Sequence, residues 1–472
     1  MLERLDELST FALQARSTAS RFVLCGMGGS SLAAEVAGDL FDGEDKELVV
    51  LDTTHPAAIA AVDRPSDPST LYLISSKSGT TQETASLFRY YWRATGGAGE
   101  RFIAITDPGT PLAALAGERR FRRVFLNPED IGGRYSALSY FGMVPASLIG
   151  ADVEALLAAG ERMANSCSDT DPESNPGAWL GAVLGEAALS GRDKLTLVLS
   201  PTLKSFGSWL EQLVAESTGK EGKGIVPVIG EPLGPAAVYG SDRFFVAIEL
   251  AGEERPEDRR LLELLGQAGH PWVRFRWSDR VDLGGEFFRW EFATAVAGAI
   301  LGVNPFDQPN VEESKENTKA VLAGKGGEHP TSGDAADLQV LLERVRPGDY
   351  IALMAYLAPS PETDARLARV QGWLRDRTRA AVTVGYGPRF LHSTGQLHKG
   401  GPPRGLFVQI VDRFEPDLPI DRFEPDLPIP EEGITFGRLI AAQAEGDFRA
   451  LRARGRPVVR VALEVLEEVL AG

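Results

Sequence analysis

The sequence predicts an α/β protein of two doubly wound, mostly parallel-sheet units, each a three-layer αβα sandwich and the second larger. Two observations carry this. Short apolar runs alternate with longer segments of helical period, the signature of strand–helix–strand crossovers. The alternation pauses once, at a polar stretch, and then resumes. A length of 472 residues allows about three ordinary domains or two large ones, and 43% hydrophobic residues are ample for their cores.

In chain order, Phe22-Val23-Leu24-Cys25 reads as a buried strand ending at glycines, and Ser30 to Leu40 as a helix. Strands follow at 48–51, 71–74 and 102–105, joined by helical patterns at 57–62, 81–93 and 111–115. The polar run 165–176 reads as a linker, giving units 1–165 and 166–472. Beyond it come a strand at 195–199, a helix at 207–215, strands at 244–248 and 272–275, and a long apolar helix at 287–301. A second loop-rich segment, 324–333, precedes strands at 350–357, 381–384 and 406–410, which with a C-terminal extension complete the larger unit. The nonapeptide Asp412-Arg413-Phe414-Glu415-Pro416-Asp417-Leu418-Pro419-Ile420 is repeated at once as 421–429. Two prolines per copy exclude a central strand or helix, so the duplication is expected to form a dispensable surface loop.

Composition narrows the function. A net charge of −17 argues against a nucleic-acid binder, which needs a basic face, but a locally positive pocket can still take a small anion. The two cysteines, Cys25 and Cys167, have no CxxC partners, so neither a disulfide framework nor a cysteine metal site is expected. Absent any apolar run of membrane length or a signal-like start, the expectation is a cytoplasmic protein with no membrane partner.

Six segments could carry chemistry. Gly26-Met27-Gly28-Gly29-Ser30-Ser31 follows a strand and opens a helix. A nucleotide, another anion and an ordinary tight turn account for it equally well: Asp52 is near the distance of a ribose-binding acid, but the third glycine of G-x-G-x-x-G is replaced by Ser31. Ser75-Ser76-Lys77-Ser78-Gly79-Thr80-Thr81-Gln82-Glu83-Thr84 gathers hydroxyls, a lysine and fresh helix N–H groups, a cradle for a phosphate monoester. Arg134, in Gly132-Gly133-Arg134-Tyr135-Ser136, offers a permanent charge on a glycine turn. Glu216 closes an amphipathic helix before Ser217-Thr218-Gly219-Lys220 and could act as a base. Gln308 and Lys315 stand seven apart around a helix expected to start near Pro309. His392-Ser393-Thr394-Gly395-Gln396-Leu397-His398-Lys399 reads as a site more than a surface loop, without zinc spacing. His55, His270 and His329 each precede a proline and read as turn residues.

Together these segments resemble the glucose-6-phosphate isomerase family, built from two sugar-isomerase (SIS) domains, and most closely the isomerase half of bacterial transaldolase fusions. The matching stretches are GMGGSS, SSKSGTTQET, GGRYS, ESTGKEGKG, NPFDQPNVEESK and HSTGQLHKGG. With the first isomerase strand near residue 22, no transaldolase portion is expected within the chain. The resemblance implies a phosphate loop on Ser76, Lys77, Ser78 and Thr81, and sugar contacts from Gly29 and Ser30. It implies Arg134 as the enediolate-stabilising arginine, Glu216 as the base, and Gln308 with Lys315 on the family's last helix. The ring-opening histidine falls on His392, after Lys315, where the family order would place it before. The implied reaction interconverts an aldose and a ketose phosphate through an enediol, with a small-molecule sugar phosphate as partner. It needs neither cofactor nor metal, and a homodimer is implied. A phosphomannose-accepting isomerase and a non-catalytic sugar-phosphate regulator are the competing readings; full motifs around Glu216 and Lys315 favour the enzyme. Glu291 and Glu313 are the reserve candidates for the base.

Overall fold

The computed structural model describes residues 1–41, 46–310, 312–324, 333–411 and 426–471. Its first sheet is parallel and runs β2-β1-β3-β4-β5, from β1 (Arg21–Cys25), β2 (Glu47–Leu51), β3 (Thr70–Ser75), β4 (Phe102–Thr106) and β5 (Arg123–Leu126). β1 and β3 are buried along their whole length, as continuous apolar runs between two helical layers should be. The chain leaves β1 toward β2 on one side and β3 toward β4 on the other. The carboxyl ends of β1 and β3 therefore flank a topological switch point, the standard place for a ligand crevice. The glycine turn and the hydroxyl-rich loop open at those two ends.

The larger unit is built on two four-stranded parallel sheets rather than one. The first is β7-β6-β8-β9, from β6 (Lys194–Leu199), β7 (Val226–Val228), β8 (Arg243–Leu250) and β9 (Trp272–Trp277). The second begins with β10 (Tyr350–Tyr356), β11 (Ala381–Tyr386) and β12 (Gly405–Val411). A two-stranded antiparallel hairpin, β13 (Pro428–Ile429) with β14 (Ile434–Thr435), precedes β15 (Val458–Ala462), and the sheet order is β11-β10-β12-β15. The edges β7 and β11 meet through side chains. Gln371 Nε2 donates to Ile229 O at 3.2 Å and to Val382 O at 2.8 Å, while Glu231 Oε1 accepts from Val382 N and Arg243.

The expected boundary at 165/166 falls at the last residue of the helix Val153–Ser166, and Asn175 caps the next helix, Pro176–Leu189. Both helices pack on Asp282–Leu301, and one apolar core runs from Phe22 and Leu73 through Trp209 and Phe287 to Trp277. The third sheet has a separate core around Leu353, Leu367 and Val408. It is tied back by the helix Phe436–Ala453, whose Phe436 and Leu439 enter the first unit's core beside Tyr72 and Tyr91.

The duplicated nonapeptide falls largely outside the described residues. Its last four residues do not form a free surface loop: Asp426 Oδ1 accepts from Leu427 N and Gly437 N, and Ile429 is buried in the first unit's core. Among the described residues, no helix is long and apolar enough to cross a membrane.

Candidate active site

The glycine turn is held by backbone against backbone. A Cβ at Gly29 would collide with the Gly133 carbonyl, so only glycine lets the two turns meet, and Gly28 at φ +55 takes a left-handed conformation beside Gln212 and the His392 carbonyl. Ser30 is buried, and its carbonyl accepts from Ser75 Oγ at 2.7 Å. Gly133 and His392 occupy the space over this turn, and Asp52 is taken up by Arg389 Nε at 3.1 Å. Those contacts leave the dinucleotide reading without its phosphate seat or its ribose acid.

The hydroxyl-rich loop connects β3 to the helix Gln82–Ala94. Ser76 Oγ and Thr81 Oγ1 lie 3.0 Å apart, Ser78 Oγ and Thr80 Oγ1 2.9 Å apart, and Gly79 N donates to Ser76 Oγ. The loop is thus pre-shaped by its own hydroxyls around a helix N-terminus. Lys77 turns to the rim, where its ammonium meets Asp107 and donates to Glu129 O at 3.1 Å.

Arg134 is buried at 5% exposure and acts as a clamp. Its Nε donates to Ser217 Oγ at 2.8 Å, Nη1 to Gln308 Oε1 at 2.9 Å, and Nη2 to the carbonyls of Pro305 and Asp307. Nη1 also stands 3.6 Å from Glu216 Oε1. Glu216 lies in the last turn of the helix Lys204–Thr218, and Gln212, one turn earlier, donates to its Oε2 at 3.1 Å. Burial pushes the Glu216 carboxyl above its ordinary value, and Arg134, Gln212, His392 and Lys220 pull it back. A desolvated carboxylate of raised basicity beside a fixed cation suits proton abstraction next to a developing oxyanion. Lys220 anchors the same loop on Asp307 Oδ1 at 2.7 Å.

Two expectations on the 304–315 segment divide. Gln308 reaches Arg134, but it stands in the loop, since the helix begins at Glu312. Lys315, exposed on that helix, lies within electrostatic reach of Glu83. Of the reserve carboxylates, Glu313 is paired with Arg454 at 2.7 Å and Glu291 faces the Tyr135 side.

The histidine segment also divides. His392 is drawn into the site, its Nε2 3.1 Å from Glu83 Oε1. His398 packs among Tyr350, Phe390 and Phe407, and burial followed by Lys399 and Arg456 holds it well below the usual imidazole range. Gln396 braces Asn310 N and Gly219 O, and Lys399 pairs with Asp447 at 2.7 Å. Those three are structural.

Glu83 is the main residue that sequence reasoning missed. Burial alone would raise its carboxyl, but attraction to His392, their hydrogen bond, a backbone hydrogen bond and Lys315 together hold it below the usual range. An ionised Glu83 can only accept, so His392 Nε2 is the donor in their contact. Glu83 lies inside the hydroxyl-rich motif, in the first turn of its helix, so its acidic type was the available signal.

Comparison with known proteins bears on the family. The family model described as Phosphoglucose isomerase matches residues 10–227. A glucose-6-phosphate isomerase of Symbiobacterium thermophilum is 33% identical over 298 residues, 54% of this chain and 66% of that protein. One of Leptospira interrogans is 30% identical, over 54% of this chain and 67% of its own length. The chain therefore spans about two-thirds of these curated relatives. Among solved structures, a hypothetical protein of Thermus thermophilus superposes with a TM-score of 0.61 at 24% identity, over 68% of this chain and 88% of the other. A glucose-6-phosphate isomerase of Chlamydia trachomatis gives 0.56 at 21%, over 68% and 73%. These two share the fold. On the family-model match and these relatives, the chain belongs to the phosphoglucose isomerase family.

Proposed function

We propose that this site interconverts glucose 6-phosphate and fructose 6-phosphate, with Glu216 carrying the proton between C2 and C1 of the open-chain sugar. The observation that carries the reading is the buried Glu216 carboxylate 3.6 Å from the clamped Arg134 guanidinium. Ser76, Ser78, Thr81 and the helix N–H groups hold the phosphate, with Lys77 adding charge at the rim. Remote binding of the phosphate orients the reacting carbons. His392, oriented by Glu83, and Lys315 serve ring opening. Gly29, Ser30 and Gln308 line the sugar.

In the aldose-to-ketose direction Glu216 takes the C2 proton, and the electron pair forms the C1=C2 double bond. The C1 carbonyl oxygen becomes the enediolate oxygen, stabilised by Arg134. Proton transfer from O2 to O1 and return of the carried proton from Glu216 to C1 leave the ketone at C2. Atoms and electrons balance without a cofactor.

Glu216→Gln keeps the size and loses the base, so kcat should fall at least ~10²-fold with KM little changed. Solvent-deuterium incorporation at C2 reads proton removal directly, and wild-type exchange in this variant would assign the base elsewhere. A homodimer in the cytoplasm belongs to the same reading and rests on family resemblance alone; sedimentation of the purified chain tests the dimer.

A further inference from the structure

The structure assigns Gln443 as a positioning residue for ring opening, holding Glu83 in the orientation and charge state that His392 requires. This rests on the proposed isomerase reading. Gln443 lies on the helix Phe436–Ala453, 3% exposed, far along the chain from every recognised motif. Its Nε2 donates to Glu83 Oε1 at 2.8 Å, the same oxygen that faces His392 Nε2 at 3.1 Å. Its Oε1 accepts from Thr54 Oγ1 at 2.7 Å, and Thr54, in the loop after β2, is fully buried.

The amide can sit only one way round. Flipped, its oxygen would face the Glu83 carboxylate with no proton between them. Fixed by Thr54, the amide presents a donor and so favours the ionised carboxylate. The other groups facing Glu83 are His392 from the segment after β11, Lys315 from the helix Glu312–Leu322, and the Tyr356 hydroxyl of β10. Tyr356 OH also donates to the Gln443 carbonyl at 3.4 Å, fixing the helix on the third sheet. Thr54 and Glu83 belong to the first sheet's unit, and Gln443 and His392 to the third sheet's unit. The chain of hydrogen bonds thus aligns the histidine across that boundary.

The decisive assay separates ring opening from proton transfer. Enzyme-dependent exchange between the α and β anomers of glucose 6-phosphate, followed by NMR, requires the ring to open but moves no C–H proton. In a Glu216→Gln background it reports the ring-opening groups, His392 with Glu83 and Lys315, apart from the base. Adding Gln443→Leu should slow anomer exchange about 10-fold, a modest share of acid–base catalysis. It should also move the acid limb of the pH profile upward, because Glu83 loses a donor to its ionised form. Gln443→Glu can donate only when protonated, so its exchange should fall with rising pH. A packing role predicts either an unchanged rate or a loss uniform across pH, and both overturn the assignment. If Gln443→Leu does not fold, Thr54→Val, which frees the amide, should shift the limb in the same direction, and an unmoved limb overturns the assignment. Wild-type protein that neither isomerises nor anomerises the sugar overturns the proposed function instead.

Discussion

Arg134 fixes four partners with one planar group, and a lysine cannot reproduce that fork. Arg134→Lys should therefore lower kcat while leaving the acid limb of kcat/KM in place, because the charge beside Glu216 survives. Arg134→Met should move that limb upward. Glu216 is raised by burial and pulled back by Arg134, so without the cation its base form is lost at a higher pH as the solution is acidified. A pH–rate profile of the two variants separates charge from geometry. At this scale motif reading singled out Glu216, Arg134 and Thr81, and the structure brings the first two within 3.6 Å and sets Thr81 in the hydroxyl-paired loop. The sequence was silent on Glu83 and Gln443, because the first needs a partner 309 positions away and the second 360. A lone glutamine on an amphipathic helix carries no signal of its own.

The loop after β3 is an element whose shape comes from hydroxyl pairs, so Thr81→Val removes a loop brace together with the proposed phosphate donor. KM for fructose 6-phosphate should rise about 10-fold or more, since a hydrogen bond to a charged group is worth about 1.5–3 kcal/mol. An unchanged KM in Thr81→Val and Ser76→Ala alike would move the phosphate elsewhere. The duplicated nonapeptide gives a second test at this scale. Deleting 421–429 yields the same chain as deleting 412–420, and the surviving copy still ends Leu-Pro-Ile before Pro430. Tm and activity should be nearly unchanged, whereas Ile429→Asp, which charges a buried position, should lower Tm sharply. Long apolar strands such as β1, β3 and β10 were legible as runs. β5 and β7 were not: β5 is half exposed and begins at an arginine, and β7 is three residues with a central proline at a sheet edge. The division of the larger unit into two sheets was equally hidden, because strand order is set by contacts between distant segments.

Across the whole molecule, a partly buried acidic cluster joins the three sheets' units. Glu35 and Asp52 of the first unit grip Arg389, which precedes His392, and Glu211 on the helix Lys204–Thr218 faces the same guanidinium. Burial pushes Glu211 up to about 8, with Arg389 pulling it back, and Asp52 up to about 6. Above the ordinary carboxylate pKa the unfolded chain has lost the Glu211 proton while the folded chain keeps it, so stability declines as pH rises toward 8. Glu211→Gln removes that proton from the balance. Its Tm should fall less than the wild type's between pH 5 and 9, and parallel curves would place the titrating group elsewhere.

The same three-part construction sorts the chemistry by boundary. Arg134 and Glu216 meet across the seam that shares a continuous core, whereas Glu83 and His392 meet across the seam to the third sheet. On the proposed roles, a displacement at the second seam should silence ring opening and spare proton transfer. A mildly denatured or proteolytically nicked enzyme should first lose cyclic substrates while still exchanging the C2 proton of an aldose phosphate too short to close a ring. Order of failure, read with two substrates, becomes a map of which joint loosens first.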